Sequence, residues 1–398
     1  MPDFFFPRLR QRVTTRGEVV TGEYKVNFID SWHPYSLSST IFEECIDQVH
    51  SWNPRSADTM GNVGGPLELT RIGATHDTTF KVDDSLLRGV IGAQLPLSFT
   101  PTTISMISDS TLQAFGTTAI ARSTPTNPVS GLSTALGELR SDGLPRLPGA
   151  EARATTLSAR SAGSEYLNVE FGWLPLISDI RKFAFAVKHS RTIIDNYRRD
   201  SDTKIRKRWG LPSDTAQVFF QGDGFAFPYE ANMPTVASVR QLIETRRTFS
   251  GAFRYHIPMG NSQYDKLVRY EAYSNRLLGT RVTPEVLWNI APWSWAVDWF
   301  TNTGDVIHNI SALGSDGLVM QYGYATDVTR RTLDVRNRLV GDNHAPAGTL
   351  LTATYELKYQ KRVAANPYGF GITDTDLSTR QLAILAALGL SRGQRFRT

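Results

Sequence analysis

Trp288-Asn-Ile-Ala-Pro-Trp-Ser-Trp-Ala-Val-Asp-Trp-Phe300 holds four of the eight tryptophans of a 398-residue chain. Each indole is bulky and carries one N–H that needs a partner when buried. Thr283-Pro284-Glu285 ahead of the run reads as an N-cap and a first helical turn. Pro292 should kink or break the helix that follows. Trp288, Trp295 and Trp299 recur at spacings of seven and four, which is one face of a helix. Exposed rings on such a face would stack on nucleobases, and buried ones would form the core of a helix bundle. The core is the preferred reading, with Trp173, Trp288, Trp293, Trp295 and Trp299 as its indoles.

Outward from this run the chain alternates between two textures. Helical spacing appears over Ser39 to His50, Ser130 to Leu139 and Leu377 to Leu388, with Gly389 as a C-cap. It appears again from Pro175, where Ile177, Ile180, Ala184, Val187, Ile194 and Tyr197 predict one helix running to about Arg208. Period-2 alternation marks strands at Tyr24–Phe28, Phe249–Ile257 and Leu351–Gln360. Further strands are expected at Phe80–Val82, Leu112–Ala121, Gln217–Phe227 and Leu318–Val340, with Gly222-Asp-Gly224 as a hairpin turn.

No Pro-, Gly- or Ser-rich linker divides these pieces. The pattern predicts an elongated α+β molecule with a helical bundle region and a separate antiparallel β-sheet region, both built from discontinuous segments. The mainly β-region is expected from 1–128 (with a helix near 39–50), 211–276 and 318–365, and the mainly α-region from 129–210, 277–317 and 366–398.

Charge is concentrated. The chain carries +5 overall, and Lys188, Arg191, Arg198, Arg199, Lys204, Arg206, Lys207 and Arg208, against Asp195, Asp200 and Asp202, supply a net +5 within one segment. Arg380, Arg392, Arg395 and Arg397 lie in a final stretch without an acid. Solvated helix faces and a frayed tail would explain either concentration alone; together they favour a phosphate-rich partner. The eight cations of the first segment, with Arg392, Arg395 and Arg397, are the candidate RNA contacts. Tyr255, Tyr322, Tyr324 and Tyr359, among polar residues, are a candidate recognition surface or simply packing.

Other classes find little support. The N-terminus lacks the basic and apolar regions of a secretory signal, and no apolar run reaches the roughly 18–20 residues of a membrane span. Cys45 is alone, which excludes an internal disulfide and a cysteine-based zinc site. No two histidines stand at the helical zinc spacing, and no phosphate-loop, nucleophile-elbow or dinucleotide motif is present, so no metal or cofactor is expected. Asp298 and Asp305 are the one candidate acid–base pair. The preferred reading gives Asp298 to a neighbouring indole or backbone group and Asp305 to a helix cap.

The run Trp288 to Ile307 resembles the hallmark segment of the maturation (A) proteins of single-stranded RNA bacteriophages, the leviviruses. Glu165-Tyr-Leu-Asn-Val-Glu-Phe-Gly-Trp-Leu-Pro-Leu-Ile-Ser-Asp-Ile180 resembles their second hallmark, in the right order. The resemblance implies a non-enzymatic virion protein, present as a single copy among the coat protein dimers. It implies an inward helical part that holds genomic single-stranded RNA through hairpins near the 3′ end. It implies an outward sheet part that binds the host's retractile pilus, and a protein that enters the cell with the RNA. It transfers no pilus-contacting residue. Two other readings stay open at this point: a nucleic-acid-processing enzyme using Asp298 and Asp305, and a pure adhesin whose basic residues only solubilise it.

Overall fold

The computed structural model describes residues 8–49, 65–135, 138, 166–229, 232–281, 283–290, 298, 301–315, 317–341, 344–369, 381 and 383–384. Its strands are β1 (Arg8–Tyr24), β2 (His33–Val49), β3 (Leu67–Thr78), β4 (Phe80–Asp83), β5 (Leu87–Ala93), β6 (Ile205–Gly210), β7 (Asp214–Phe227), β8 (Pro234–Arg254), β9 (Val319–Leu339) and β10 (Leu350–Ala364). Its helices are α1 (Asp109–Ser123), α2 (Leu174–Lys188), α3 (Ser190–Asp200), α4 (Gln263–Leu278), α5 (Pro284–Ile290) and α6 (Thr303–Ser315), with a π-helical turn at Asn168–Trp173. The fold class is α+β, and the chain forms two compact units of interleaved segments.

The first unit comprises Met1–Leu112, Trp209–Phe249 and Tyr324–Ala364. The sheet runs β1-β2-β3-β10-β9-β8-β7-β5-β4, with β6 paired to β8. A second pairing, Glu23 with Arg88 and Tyr24 with Leu87, joins β1 to β5 and closes the order into a ring. Closure removes free edges there. Inside lie Leu87, Ile91, Met233, Val239, Leu333, Val335, Leu339 and Leu351, all at most 2% exposed. The strands Leu318–Val340 and Leu351–Gln360 are present as β9 and β10, in antiparallel register from Leu350–Arg338 to Ala364–Tyr324.

Several local expectations are overturned in this unit. The helix expected at Ser39–His50 is a strand, β2, over its described residues 39–49. Ile41, Phe42, Cys45 and Ile46 mimic helical spacing, but β2 is paired on both sides, to β1 and β3, and the ladders decide its conformation. Tyr24–Phe28 is not a strand: β1 ends at Tyr24, and the Asn27 carboxamide oxygen accepts from the Ile29 and Asp30 amides in a tight turn. Gly222-Asp-Gly224 is not a turn, because β7 runs straight through it, Gly222 opposite Ala237 and Gly224 opposite Thr235. A Cβ on Gly224 would stand 3.0 Å from the Ala237 methyl, so this glycine permits close approach rather than reversal.

The second unit comprises Gln113–Arg208, Ser250–Gly323 and Ala365–Thr398. Leu112–Ala121 belongs to a helix, α1, and not to the expected strand. Ser108 caps it through the Thr111 amide at 3.2 Å, and Leu112, Phe115 and Ala119 then recur on one buried face. Buried amides tie α1 to α6: Asn309 donates to the Thr117 and Pro367 carbonyls, at 3.1 and 2.8 Å, and Asn302 donates to Gly369 at 2.8 Å. Of Ser130–Leu139, residues 132–135 and 138 are helical. Of Leu377–Leu388, only 381 and 383–384 are described, also helical, and Gly389 lies outside the described residues.

The helix expected from Pro175 to Arg208 is three elements. It breaks at His189 (φ −107°, ψ 16°) and ends at Asp200. Asp200-Ser-Asp-Thr is turn chemistry: the Thr203 hydroxyl donates to the Asp200 carbonyl at 2.7 Å, and Asp202 takes φ +60°. Arg206, Lys207 and Arg208 therefore lie on strand β6. The apolar stripe of the first half is also not a buried seam, since Ile177, Ile180 and Val187 are 38%, 59% and 56% exposed while Ala186 is fully buried.

Candidate nucleic-acid interface

The basic segment begins where α2 ends. Lys188 and Arg191 flank the His189 break, Arg198 and Arg199 close α3, Lys204 follows the turn, and Arg206, Lys207 and Arg208 follow on β6. All eight side chains are exposed. Among the described residues, no carboxylate stands within ion-pair distance of Lys188, Arg191, Arg198, Arg206, Lys207 or Arg208. Two of the three nearby acids are engaged. Asp200 pairs with Arg199 at 3.1 Å, and Asp202 receives His256 at 2.9 Å and Arg254 at 3.8 Å. Lys204 lies 4.9 Å over the Tyr322 ring. Arg254 and His256 thus join this surface, with no local signal in the sequence because they sit 46 or more residues beyond Arg208.

A rigid anchor holds the segment. Tyr197 of α3 stacks on Tyr255 with centroids 4.7 Å apart, and the Tyr255 hydroxyl donates to the Tyr197 carbonyl at 2.7 Å. Burial, then Tyr197 and Asp200, push the Tyr255 phenol well above its ordinary range. The Ile257 amide donates to the Ser201 hydroxyl at 2.9 Å, and the Asp202 amide to the Tyr255 carbonyl at 2.8 Å. Tyr255 is 2% exposed and so offers no recognition surface. Of the other tyrosines expected at one, Tyr324 lies beneath the Arg362 guanidinium at 5.3 Å.

Of the five core indoles, Trp293, Trp295 and Trp299 lie outside the described residues, as do Arg392, Arg395 and Arg397. Trp173 and Trp288 are half-buried. Trp288 donates its indole N–H to Asp298 at 3.2 Å, and the second Asp298 oxygen accepts from the Gly304 amide at 2.8 Å. Asp298 thus has both partners foreseen for it. Asp305 sits in the first turn of α6, where it accepts from the Thr118 hydroxyl at 2.7 Å and lies 3.9 Å from Arg122. Burial raises the Asp305 carboxyl above its ordinary value, against the pull of Thr118, Arg122 and His308.

Asp298 and Asp305 share a cavity of about 710 Å³ within the second unit. Its wall brings together residues from Ala121 to Ala312, a convergence no local motif announces. Among the described residues no group of acids, histidines or cysteines has the geometry of a metal site, and no helix is long and apolar enough to cross a membrane.

A sequence profile described as phage maturation protein matches residues 150–366, more than half of the chain and inclusive of the whole basic segment. No curated protein matches.

Proposed function

The chain belongs to the phage maturation protein family, a virion component of bacteriophages, and we propose that within this role it couples the viral genome to the host surface. The basic α2–α3–β6 segment holds genomic single-stranded RNA, chiefly hairpins of the 3′ region, by phosphate contact and shape. An A-form major groove is too narrow for side chains to read. The sheet-rich unit faces the host's retractile pilus, coat protein dimers surround the protein in the shell, and the protein enters the cell with the RNA. The observation that carries the RNA reading is the run of eight exposed cations, six of them without a carboxylate partner among the described residues.

The test is binding of the purified full-length chain to genomic 3′ RNA across a salt series. Steep salt dependence is expected, and Arg198→Glu/Arg199→Glu should flatten it. RNA affinity that ignores salt, or that survives the double reversal unchanged, would refute the reading. For the pilus, purified protein should compete with phage for adsorption to piliated cells; failure at saturating protein would count against that half. Against the nucleic-acid-processing alternative stand the hydrogen bonds by which both carboxylates serve the fold. Unchanged infectivity of an Asp298→Asn/Asp305→Asn phage would complete the case.

A further inference from the structure

The cavity in the second unit is built more carefully than a packing defect. Asn127 donates its amide to the Ala121 carbonyl at 2.8 Å, which turns its oxygen toward His308 Nε2 at 3.0 Å. His308 Nδ1 in turn meets Glu285 Oε1 at 2.9 Å. This chain fixes one carboxylate in the wall, while among the described residues nothing bonds its second oxygen. Arg122 also lines the cavity, two-thirds exposed, with, among the described residues, only the 3.9 Å contact to Asp305. Thr126, 2% exposed, also lines it, and among the described residues its hydroxyl has no hydrogen-bond partner. Oriented polar groups converging on a cavity of this size provide what fixes a polar ligand in place.

The lining selects the ligand's chemistry. Arg122, Lys182, Arg281 and His308 line it together with Asp179, Glu285, Asp298 and Asp305. Lys182 is paired to Asp179 at 3.6 Å and Arg281 to Glu271 at 2.7 Å, so among the described residues the lining offers a phosphate no cluster of open cations, while Glu285 accepts N–H donors. A flat, neutral group with a paired donor edge for a carboxylate and an acceptor edge for a guanidinium fits best. Guanine has both: N1–H and the N2 amine on one edge, O6 and N7 on the other. Adenine, cytosine and uracil lack the paired donors. The cavity also adjoins the cationic segment, since Lys182 stands six residues before Lys188 on α2, about 9 Å along the helix.

We propose that this cavity takes a single unpaired guanine base, with Glu285 receiving its donor edge and Arg122 its acceptor edge. The RNA reading bears on this only as the source of the base, which is either an unpaired nucleotide of the bound RNA or a free guanine nucleotide.

The experiment titrates the full-length protein with GMP, IMP and AMP by calorimetry. IMP differs from GMP only in lacking the N2 amine. GMP should bind at least about tenfold more tightly than either; Glu285→Gln should remove most of the preference over IMP, and Arg122→Gln, which loses only the O6 and N7 contact, should weaken GMP and IMP alike and remove most of the preference over AMP. Arg122 is exposed enough that its loss should leave the fold intact, and the preference of the unaltered protein needs no variant at all. Equal binding of the three nucleotides, or no binding of GMP, overturns the proposal. The source follows from a 3′ hairpin RNA carrying inosine in place of each loop guanosine in turn. A comparable loss at one position assigns the site to RNA; no loss at any position, with GMP preference intact, assigns it to the free nucleotide. Failure of the phosphate reading stays distinguishable, because neutralising Arg198 and Arg199 should weaken RNA binding without changing GMP affinity.

Discussion

Replacing Arg206 and Arg208 by glutamine should affect RNA binding differently from replacing Lys207, and the reason is the strand. Side chains alternate across β6, so Arg206 and Arg208 share one face with their Cα atoms about 6.7 Å apart, and Lys207 points to the other. On a helix the three would fan out about 100° apart, and no such division would exist. A strand laid against an RNA backbone engages one face. Each phosphate neutralised adds about 0.9 to the slope of log affinity against log salt for a duplex stem. The double variant should lower that slope by about 1.8, which over a fourfold salt change amounts to about twelvefold in relative affinity. Lys207→Gln should change it by well under one unit. All three side chains are exposed, so each substitution should alter stability by no more than about 0.5 kcal/mol. Fluorescence anisotropy on a labelled 3′ genomic hairpin, from 50 to 200 mM salt, reads the slope directly. A loss for Lys207→Gln equal to that of each arginine would refute single-faced docking. No change in the double variant would remove β6 from the interface.

Three further outcomes test the framework. Asp298→Ala deletes hydrogen bonds from an indole and from a backbone amide at the start of α6, and should cost about 2–3 kcal/mol in urea unfolding, with Asp298→Asn recovering part of it. Asp305 should carry a stability penalty at neutral pH. Its carboxyl is raised in the folded state, so below the ordinary value near 3.8 both states are protonated and nothing is lost, while above it folding must bury a charge. Asp305→Asn should therefore match or exceed the unaltered protein at pH 7, and the gap should close as pH falls toward 4; a gap that reverses sign at pH 7 would contradict this. Gly22→Ala would drive a methyl into the Tyr35 ring and should cost about 1–3 kcal/mol, partly restored by Tyr35→Leu, as chemical denaturation would show.

Much of the fold is readable locally where pattern and partners agree. Leu351 and Ala353 alternate with polar neighbours, and both are buried in β10 as that alternation requires. Asp298 stands ten residues after Trp288 and six before Gly304, and its partners lie within that short stretch. The failures are equally particular. Thr117, Thr118 and Ile120 are β-branched and made α1 look like a strand, until Ser108 capped it and Phe115 and Ala119 found a buried side. The glutamates and isoleucines of β2 looked helical until β1 and β3 supplied ladders on both edges.

By itself the sequence determined what is stored in composition and short order: the two hallmark runs that place the chain in its family, and the cationic excess between residues 188 and 208. Charge is additive and survives any conformation, and a hallmark run is local. Tertiary structure alone decided that Arg206 to Arg208 ride a strand, that β1 meets β5 to close the sheet, and that Arg122, Glu285 and His308 face one cavity. Each of these depends on a partner many residues away, and a periodic pattern records what a segment is able to bury without recording what it will be buried against.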